Sequence, residues 1–270
     1  MKKEQIWDHL AKYKKEILNI PQNGIDMNRK IPYPHILPEE MKEKNIIDSK
    51  YYHIIIRETV NNNKITLHQG FHHLTSSQAL CFNLFFPIFI ENKFALLLSK
   101  ILHKDIEEEI IEKDGFKFEY IEDKKEETNF DLYVKTNRAK YYFEIKYTEP
   151  GFGGADNDET HRNKYNNRYK ERFKIFKDVP PMEEFFKYYQ LFRNLMYNDG
   201  YNIFVFPEDR ADLKKTINDM KEKYCKEEQQ DRIFIFSIED IVNIMLKSNN
   251  NDLIKHYELF SEKYLKVGCL

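Results

Sequence analysis

Apolar and polar residues alternate most clearly between positions 130 and 147. Phe130, Leu132 and Val134 fall on every second position with Asp131 between the first two, and Phe143, Ile145 and Tyr147 do the same around Glu144 and Lys146. A period of two predicts two strands, each with one apolar face, and Asn137-Arg138 between them supplies a turn centre. In a hairpin symmetric about that turn, positions whose numbers sum to 275 pair. Asp131 then stands across from Glu144 at a Cβ separation of about 5 Å, with Lys146 two residues along on the same face. Two carboxylates and an ammonium leave the apolar pattern together.

The remaining pattern predicts the other elements. Ile6, Trp7, Leu10, Tyr13, Ile17 and Leu18 recur at helical spacing over 4–18, and Pro21, Pro32, Pro34 and Pro38 then break up an extended connection. Tyr51 to Arg57 reads as a strand, followed by a turn at Asn61-Asn62-Asn63. Thr75 to Gln78 offers an N-cap for an apolar helix through Phe89, bent or ended near Pro87. A helix over 93–103, an acidic helical stretch over 105–113 and a strand at Phe116 to Ile121 lead into the hairpin. Beyond it come a flexible turn at Gly151 to Gly154, a helix over 182–198 and a buried strand at Tyr201 to Phe206. A helix over 210–224, a strand at Arg232 to Phe236 and helices over 238–247 and 251–265 complete the chain. Strands with helices on both sides imply an α/β fold, a mixed sheet with a helical layer on each face. The expected organisation is an N-terminal helix and arm (1–50), one domain (51–250) and a C-terminal helix packed on it (251–270).

Composition narrows the partners. The 270 residues carry 43 Lys and Arg against 45 Asp and Glu, so nucleic-acid contact has to come from a local patch rather than a global field. Such a patch exists at 161–177, where Arg162, Lys164, Arg168, Lys170, Arg172, Lys174 and Lys177 face one acid, Glu171, with Tyr165 and Tyr169 interleaved. That mixture suits phosphate tracking and base stacking, although a solvated charge run is the plainer account. Eight glycines, none at phosphate-loop spacing, leave little for nucleotide loops. Cys81, Cys225 and Cys269 are odd in number and widely spaced, which reads as reduced thiols. Without an apolar leader or a membrane-length run, the expectation is a soluble, cytoplasmic protein with no membrane partner. His68, His72 and His73 lack a ligand partner set for zinc; contact with DNA or a carboxylate suits them better.

Asp131, followed by Glu144-Ile145-Lys146 on the next strand, resembles the motif of the PD-(D/E)XK nuclease superfamily, the fold of many restriction endonucleases. The helix-strand-strand-strand-helix-strand order over 75–206 resembles that family's core. The stretch from Phe71 to Gln78, with Glu144 to Glu149, resembles bacterial restriction-endonuclease-like proteins. One departure is Phe130 where the family motif has proline. The resemblance implies a catalytic set of Asp131, Glu144 and Lys146, with Mg²⁺ (Mn²⁺ able to substitute) held by Asp131, Glu144 and the Ile145 carbonyl. It suggests Gln78 as an accessory group beside the plainer role of a helix-start amide. Gln190 stands where some relatives carry Gln-x-x-x-Tyr, but with Asn194 in the fourth place it reads more simply as an ordinary polar residue.

The chemistry matches the residue types. Phosphodiester hydrolysis needs an attacking hydroxide and charge neutralisation, and two carboxylates supply hard oxygen ligands for Mg²⁺ while Lys146 orients the nucleophile. Other acid-x-Lys triplets occur, Glu40-Met41-Lys42 and Asp212-Leu213-Lys214 among them, without an opposed acidic strand. The expectation is a Mg²⁺-dependent DNA endonuclease of restriction type, with Arg162, Lys164, Arg168, Lys170 and Arg172 on the DNA backbone. A homodimer and a companion DNA methyltransferase would accompany it. The alternatives are a repair or junction-resolving nuclease and a non-catalytic DNA-binding or partner-binding protein.

Overall fold

The computed structural model describes residues 3–57, 65–104, 106, 109–123, 128–197 and 199–267. The turn expected at Asn61 to Asn63 and Cys269 lie outside them. In chain order the elements are α1 (Lys3–Lys12), β1 (Gly24–Asp26), β2 (Ile31–Tyr33), α2 (Ser49–Ile55), α3 (Ser77–Ile90) and α4 (Phe94–Leu102). Then follow β3 (Ile111–Ile121), β4 (Asn129–Thr136), β5 (Lys140–Ile145), α5 (Glu159–Asn163), α6 (Met182–Lys187) and α7 (Tyr189–Met196). The last are β6 (Tyr201–Phe206), α8 (Ala211–Tyr224), α9 (Glu227–Gln230), β7 (Ile233–Ser237), α10 (Ile238–Leu246) and α11 (Asn251–Tyr264). The class is α/β, with a five-stranded mixed sheet flanked by helices, as the pattern predicts. The chain forms two compact units, residues 1–108 with 237–270, and residues 109–236.

The first unit is built on α3, buried at every position from Gln78 to Ile88 and capped by the Ser76 side chain on Ala79 N. It runs through Pro87 to Ile90. Proline leaves the carbonyl four residues back without its helical donor. Here that carbonyl belongs to Asn83, and the His256 Nε2 of α11 donates to it at 2.8 Å. Burial pushes the His256 imidazole down to about 4, so the ring stays neutral and Nε2 keeps the proton that this bond requires. The Tyr257 hydroxyl satisfies Leu84 O one residue further on. Two buried lysines tie the unit together through carbonyls: Lys14 Nζ on Gln22 O and Ile36 O, and Lys263 Nζ on Asn45 O and Oδ1. Residues 51–57 are not a strand. Asp48 accepts from Lys50 N as an N-cap, and Tyr51 and Ile55, one helical turn apart, are both buried. Helical capping and a one-sided apolar face outweigh the β-branched run. Among the described residues no single helix is long and apolar enough to cross a membrane.

In the second unit the strand order is β3-β4-β5-β6-β7, β7 ending at the unit boundary. β3, β4 and β5 are antiparallel neighbours, and β6 runs parallel to β5 after the crossover through α5 to α7. The pairs from Leu132↔Phe143 to Lys135↔Lys140 all sum to 275, the register expected from the turn. β3 begins at Ile111, so the end of the stretch expected to be helical is strand, with a bulge between Ile111 and Phe116 where Asp114 has φ 63°. A dense aromatic core, including Tyr169, Phe173, Phe185, Phe192 and Tyr224, packs against Phe204 and Phe206 of β6.

The helix expected over 182–198 is broken at Tyr188 (φ −118°, ψ 38°). In a continuous helix Gln190 N would donate to Phe186 O. Instead Phe186 O accepts from Ala155 N and Gln190 N donates to Gly153 O, both at 2.9 Å. The loop at 153–155 has inserted itself into the helical ladder. Glycine permits the approach, since a Cβ on Gly154 would lie 3.1 Å from Phe186 O.

Candidate active site

The backbone ladder between β4 and β5 ends at Leu132↔Phe143. Just beyond it the Ile145 N–H donates to Asp131 Oδ2 at 2.7 Å, and Lys146 N donates to Val205 O of β6 at 2.9 Å. The Asp131 side chain thus takes over a backbone donor where the pairing stops, and Lys146 stays anchored to the sheet.

Glu144 is 3% exposed and meets three donors. Its Oε1 accepts from Lys146 Nζ at 2.8 Å and from Gln190 Nε2 at 2.7 Å, and its Oε2 accepts from Asn194 Nδ2 at 2.9 Å. Gln190 Oε1 in turn accepts from Lys146 Nζ at 2.9 Å and, at 3.4 Å, from Gly153 N. The loop that breaks the helix therefore sets Gln190 between Glu144 and Lys146. An open pocket of about 410 Å³ adjoins this cluster, lined by Lys146, Glu149, Gly151 to Gly154 and Gln190.

The electrostatics follow from burial. Asp131 is held well above the ordinary carboxylate range, first by desolvation and then by the charges of Glu144 and Glu119. Burial alone would lower Lys146, but Glu144 and Asp131 more than offset it, so its ammonium is held above its ordinary value. Lys146 is charged at neutral pH in this arrangement, suited to neutralising a phosphate or orienting a water. Glu119 occupies the β3 position between the pairs Phe118↔Leu132 and Tyr120↔Phe130, across from Asp131. Its carboxylate accepts from Asn129 Nδ2. Among the described residues no group of three or more His, Cys, Asp or Glu is spaced to hold a metal ion. Asp131, half-buried, and Glu144, buried, are like-charged carboxylates at the end of the strand pairing that could serve as ligands to one.

The structure brings together Asp131, Glu144, Ile145, Lys146 and Gln190. Gln190 is no ordinary surface amide. The sequence reading missed Asn194 as a contact and Glu119 altogether. The signal for the first was its spacing of one helical turn from Gln190; for the second, the alternation of Phe116, Phe118 and Tyr120 around Lys117 and Glu119. Gln78 belongs to the first unit, where its Oε1 accepts from His68 N and its Nε2 donates to Thr66 O, the plainer role. His72 Nδ1 lies 2.9 Å from Glu39 Oε2, a carboxylate contact as anticipated.

The basic segment is only partly a charged face. Arg162, Lys170 and Arg172 are exposed and Lys164 and Arg168 half-buried. Arg162 donates to Asn157 O and Oδ1, and the Arg172 guanidinium lies 4.7 Å over the Tyr197 ring and 3.8 Å from Asp123. Tyr165 and Tyr169 are not stacking platforms. Tyr169 is fully buried with its hydroxyl 2.6 Å from that of Tyr189, and Tyr165 packs on Phe173 and Phe185.

Neither the curated proteins nor the solved structures yield a match to this chain. A family model described as "Restriction Endonuclease associating with ARP" matches residues 8–265, nearly the whole chain, and the protein belongs to that restriction-endonuclease family.

Proposed function

We propose that this chain is a metal-dependent DNA endonuclease of the PD-(D/E)XK type, hydrolysing phosphodiester bonds in a restriction system. The observation that carries the reading is the cluster at the β4–β5 strand ends, with Asp131 bonded to Ile145 N and Glu144 paired with Lys146. Asp131, Glu144 and the Ile145 carbonyl would hold Mg²⁺ or Mn²⁺, the remaining positions being water, as Mg²⁺ prefers. When bound, the metal supplies a more acidic water and neutralises charge on the phosphate. Lys146, as an ammonium, contacts the scissile phosphate and orients the attacking water, and Gln190 fixes the direction of Lys146 through its Oε1. Arg162, Lys164, Arg168, Lys170 and Arg172 contribute backbone contacts to DNA. Restriction by double-strand cutting would be served by a homodimer and a companion DNA methyltransferase in the cytoplasm. The family description, an endonuclease associating with ARP, supports a chain that works beside a partner.

The test is incubation of purified protein with plasmid and unmethylated phage DNA in Mg²⁺, in Mn²⁺ and in EDTA. Metal-dependent cleavage is expected, reduced by about 10²-fold or more in Lys146→Ala and Asp131→Ala. Both variants are expected to stay folded by circular dichroism. Undiminished cleavage by both would sink the assignment. DNA binding by the wild-type protein, with no cleavage in either metal, would favour the non-catalytic alternative.

A further inference from the structure

Asn194 is 1% exposed on α7, next in sequence to the buried Leu195 and Met196. A side-chain amide in such surroundings costs free energy unless hydrogen-bonded, and leucine, of nearly the same shape, would fill the place without that cost. Asn194 Nδ2 donates to Glu144 Oε2 at 2.9 Å. One turn earlier on the same helix Gln190 Nε2 donates to the other oxygen, Glu144 Oε1, at 2.7 Å. The terminal torsion of a glutamate is broad and roughly two-fold, so a carboxylate held at one oxygen still swings. Held at both, its plane is fixed.

We propose that Asn194 is a positioning residue for Glu144: by holding Oε2 while Gln190 holds Oε1, it fixes the plane in which the carboxylate is presented to a divalent cation. The inference rests on the nuclease reading and deepens it. The residue type fits the task. A neutral amide orients a carboxylate without competing for it, whereas a lysine or arginine would neutralise it and an aspartate would repel it. The sharing of Glu144 between two amides and an ammonium also explains how a carboxylate with so little exposure is kept beside a second acid, the half-buried Asp131.

A purely structural amide would affect folding stability and leave cation affinity alone, which separates the two roles. The experiment uses the full chain as wild type and as Asn194→Leu, with Mn²⁺ as the probe, titrated calorimetrically without DNA. DNA affinity is measured separately in EDTA, and thermal melting checks folding. The expected result is an Mn²⁺ dissociation constant about 10-fold or more weaker in the variant, the usual effect of removing a group that orients a metal ligand. DNA affinity should stay within about 2-fold. Wild-type Mn²⁺ affinity in folded Asn194→Leu overturns the proposal, as does an equal loss of DNA affinity. Should Asn194→Leu fail to fold, Asn194→Ala is judged by the same two readouts. A wild-type protein that binds no Mn²⁺ and cleaves no DNA overturns the nuclease reading and this inference with it. A wild type that does both, beside a variant unchanged in Mn²⁺ affinity, overturns this inference alone.

Discussion

Asp131 carries the clearest conflict between stability and the proposed activity. Burial, Glu144 and Glu119 raise its carboxyl above the ordinary range, so in the metal-free protein the folded state binds that proton more tightly than the unfolded state does. The sign follows from linkage. Stability from this group is fully present below the unfolded value of about 4 and is lost as pH rises through the folded value. Asp131→Asn keeps an acceptor for Ile145 N and removes the charge. It is expected to melt like wild type in acid and about 2–4 °C higher at pH 7–8, the shift that about 1 kcal/mol gives in a domain of this size. Saturating Mg²⁺ should shrink the difference by stabilising only the wild type. Melting curves over pH 4–8 check this, and a lower melting temperature for the variant at neutral pH would contradict it. The charged trio was legible from the sequence because strand alternation is local. Its amide partners were not, because contacts across 46 and 50 residues leave no periodic trace.

At the scale of elements, the break between α6 and α7 is what brings Gln190 to the site. The sequence pattern predicts one helix, since Phe185, Phe186, Tyr189, Leu195 and Met196 keep an apolar face across the break. Only the glycine-rich loop, arriving from about 35 residues earlier, shows why the ladder yields. A Cβ on Gly154 would lie 3.1 Å from Phe186 O and 3.5 Å from Lys187 O, so Gly154→Ala must push the loop back by a few tenths of an ångström. Cleavage by Gly154→Ala is expected to fall about 3- to 10-fold through misplacement of Gln190, with metal-free DNA affinity unchanged. Kinetics beside a binding isotherm would test it, and unaltered kcat would detach the loop from the site. In the other unit, Ser76 caps α3 through Ala79 N, a signal that the sequence displays openly. Ser76→Ala should cost about 1 kcal/mol in chemical denaturation, with no effect on the site residues of the second unit.

For the whole molecule, charge limits how DNA can be held. With 43 basic and 45 acidic side chains, binding depends on a few local cations and should weaken with salt according to their number. Arg172 is exposed, and its guanidinium lies over the ring of Tyr197 at the end of α7. Arg172→Ala is expected to reduce the slope of log affinity against log salt by about 1. Fluorescence anisotropy at several salt concentrations measures it, and an unchanged slope removes Arg172 from the phosphate contacts. Of the tyrosines of the same segment, Tyr169 lies in the aromatic core and Tyr165 packs against it, so their substitution should act on stability rather than on DNA. Residue spacing alone does not distinguish an aromatic residue facing a base from one facing its own core.

By itself the sequence determined the α/β class, most of the strands and helices, the hairpin register and the convergence of Asp131, Glu144 and Lys146. These depend on period-two and period-3.6 patterns, caps and a short turn, interactions that span a few residues or one hairpin. Tertiary structure alone decided which donors hold Glu144, how the Asn83 carbonyl, four residues before Pro87, is satisfied by His256, that Tyr51 to Ile55 is helical, and that Tyr169 is core with Tyr165 packed against it. Each of these turns on a group distant in sequence supplying a hydrogen bond or a packing surface. Such a choice is fixed by the free energy of burying both partners, not by the pattern around either one.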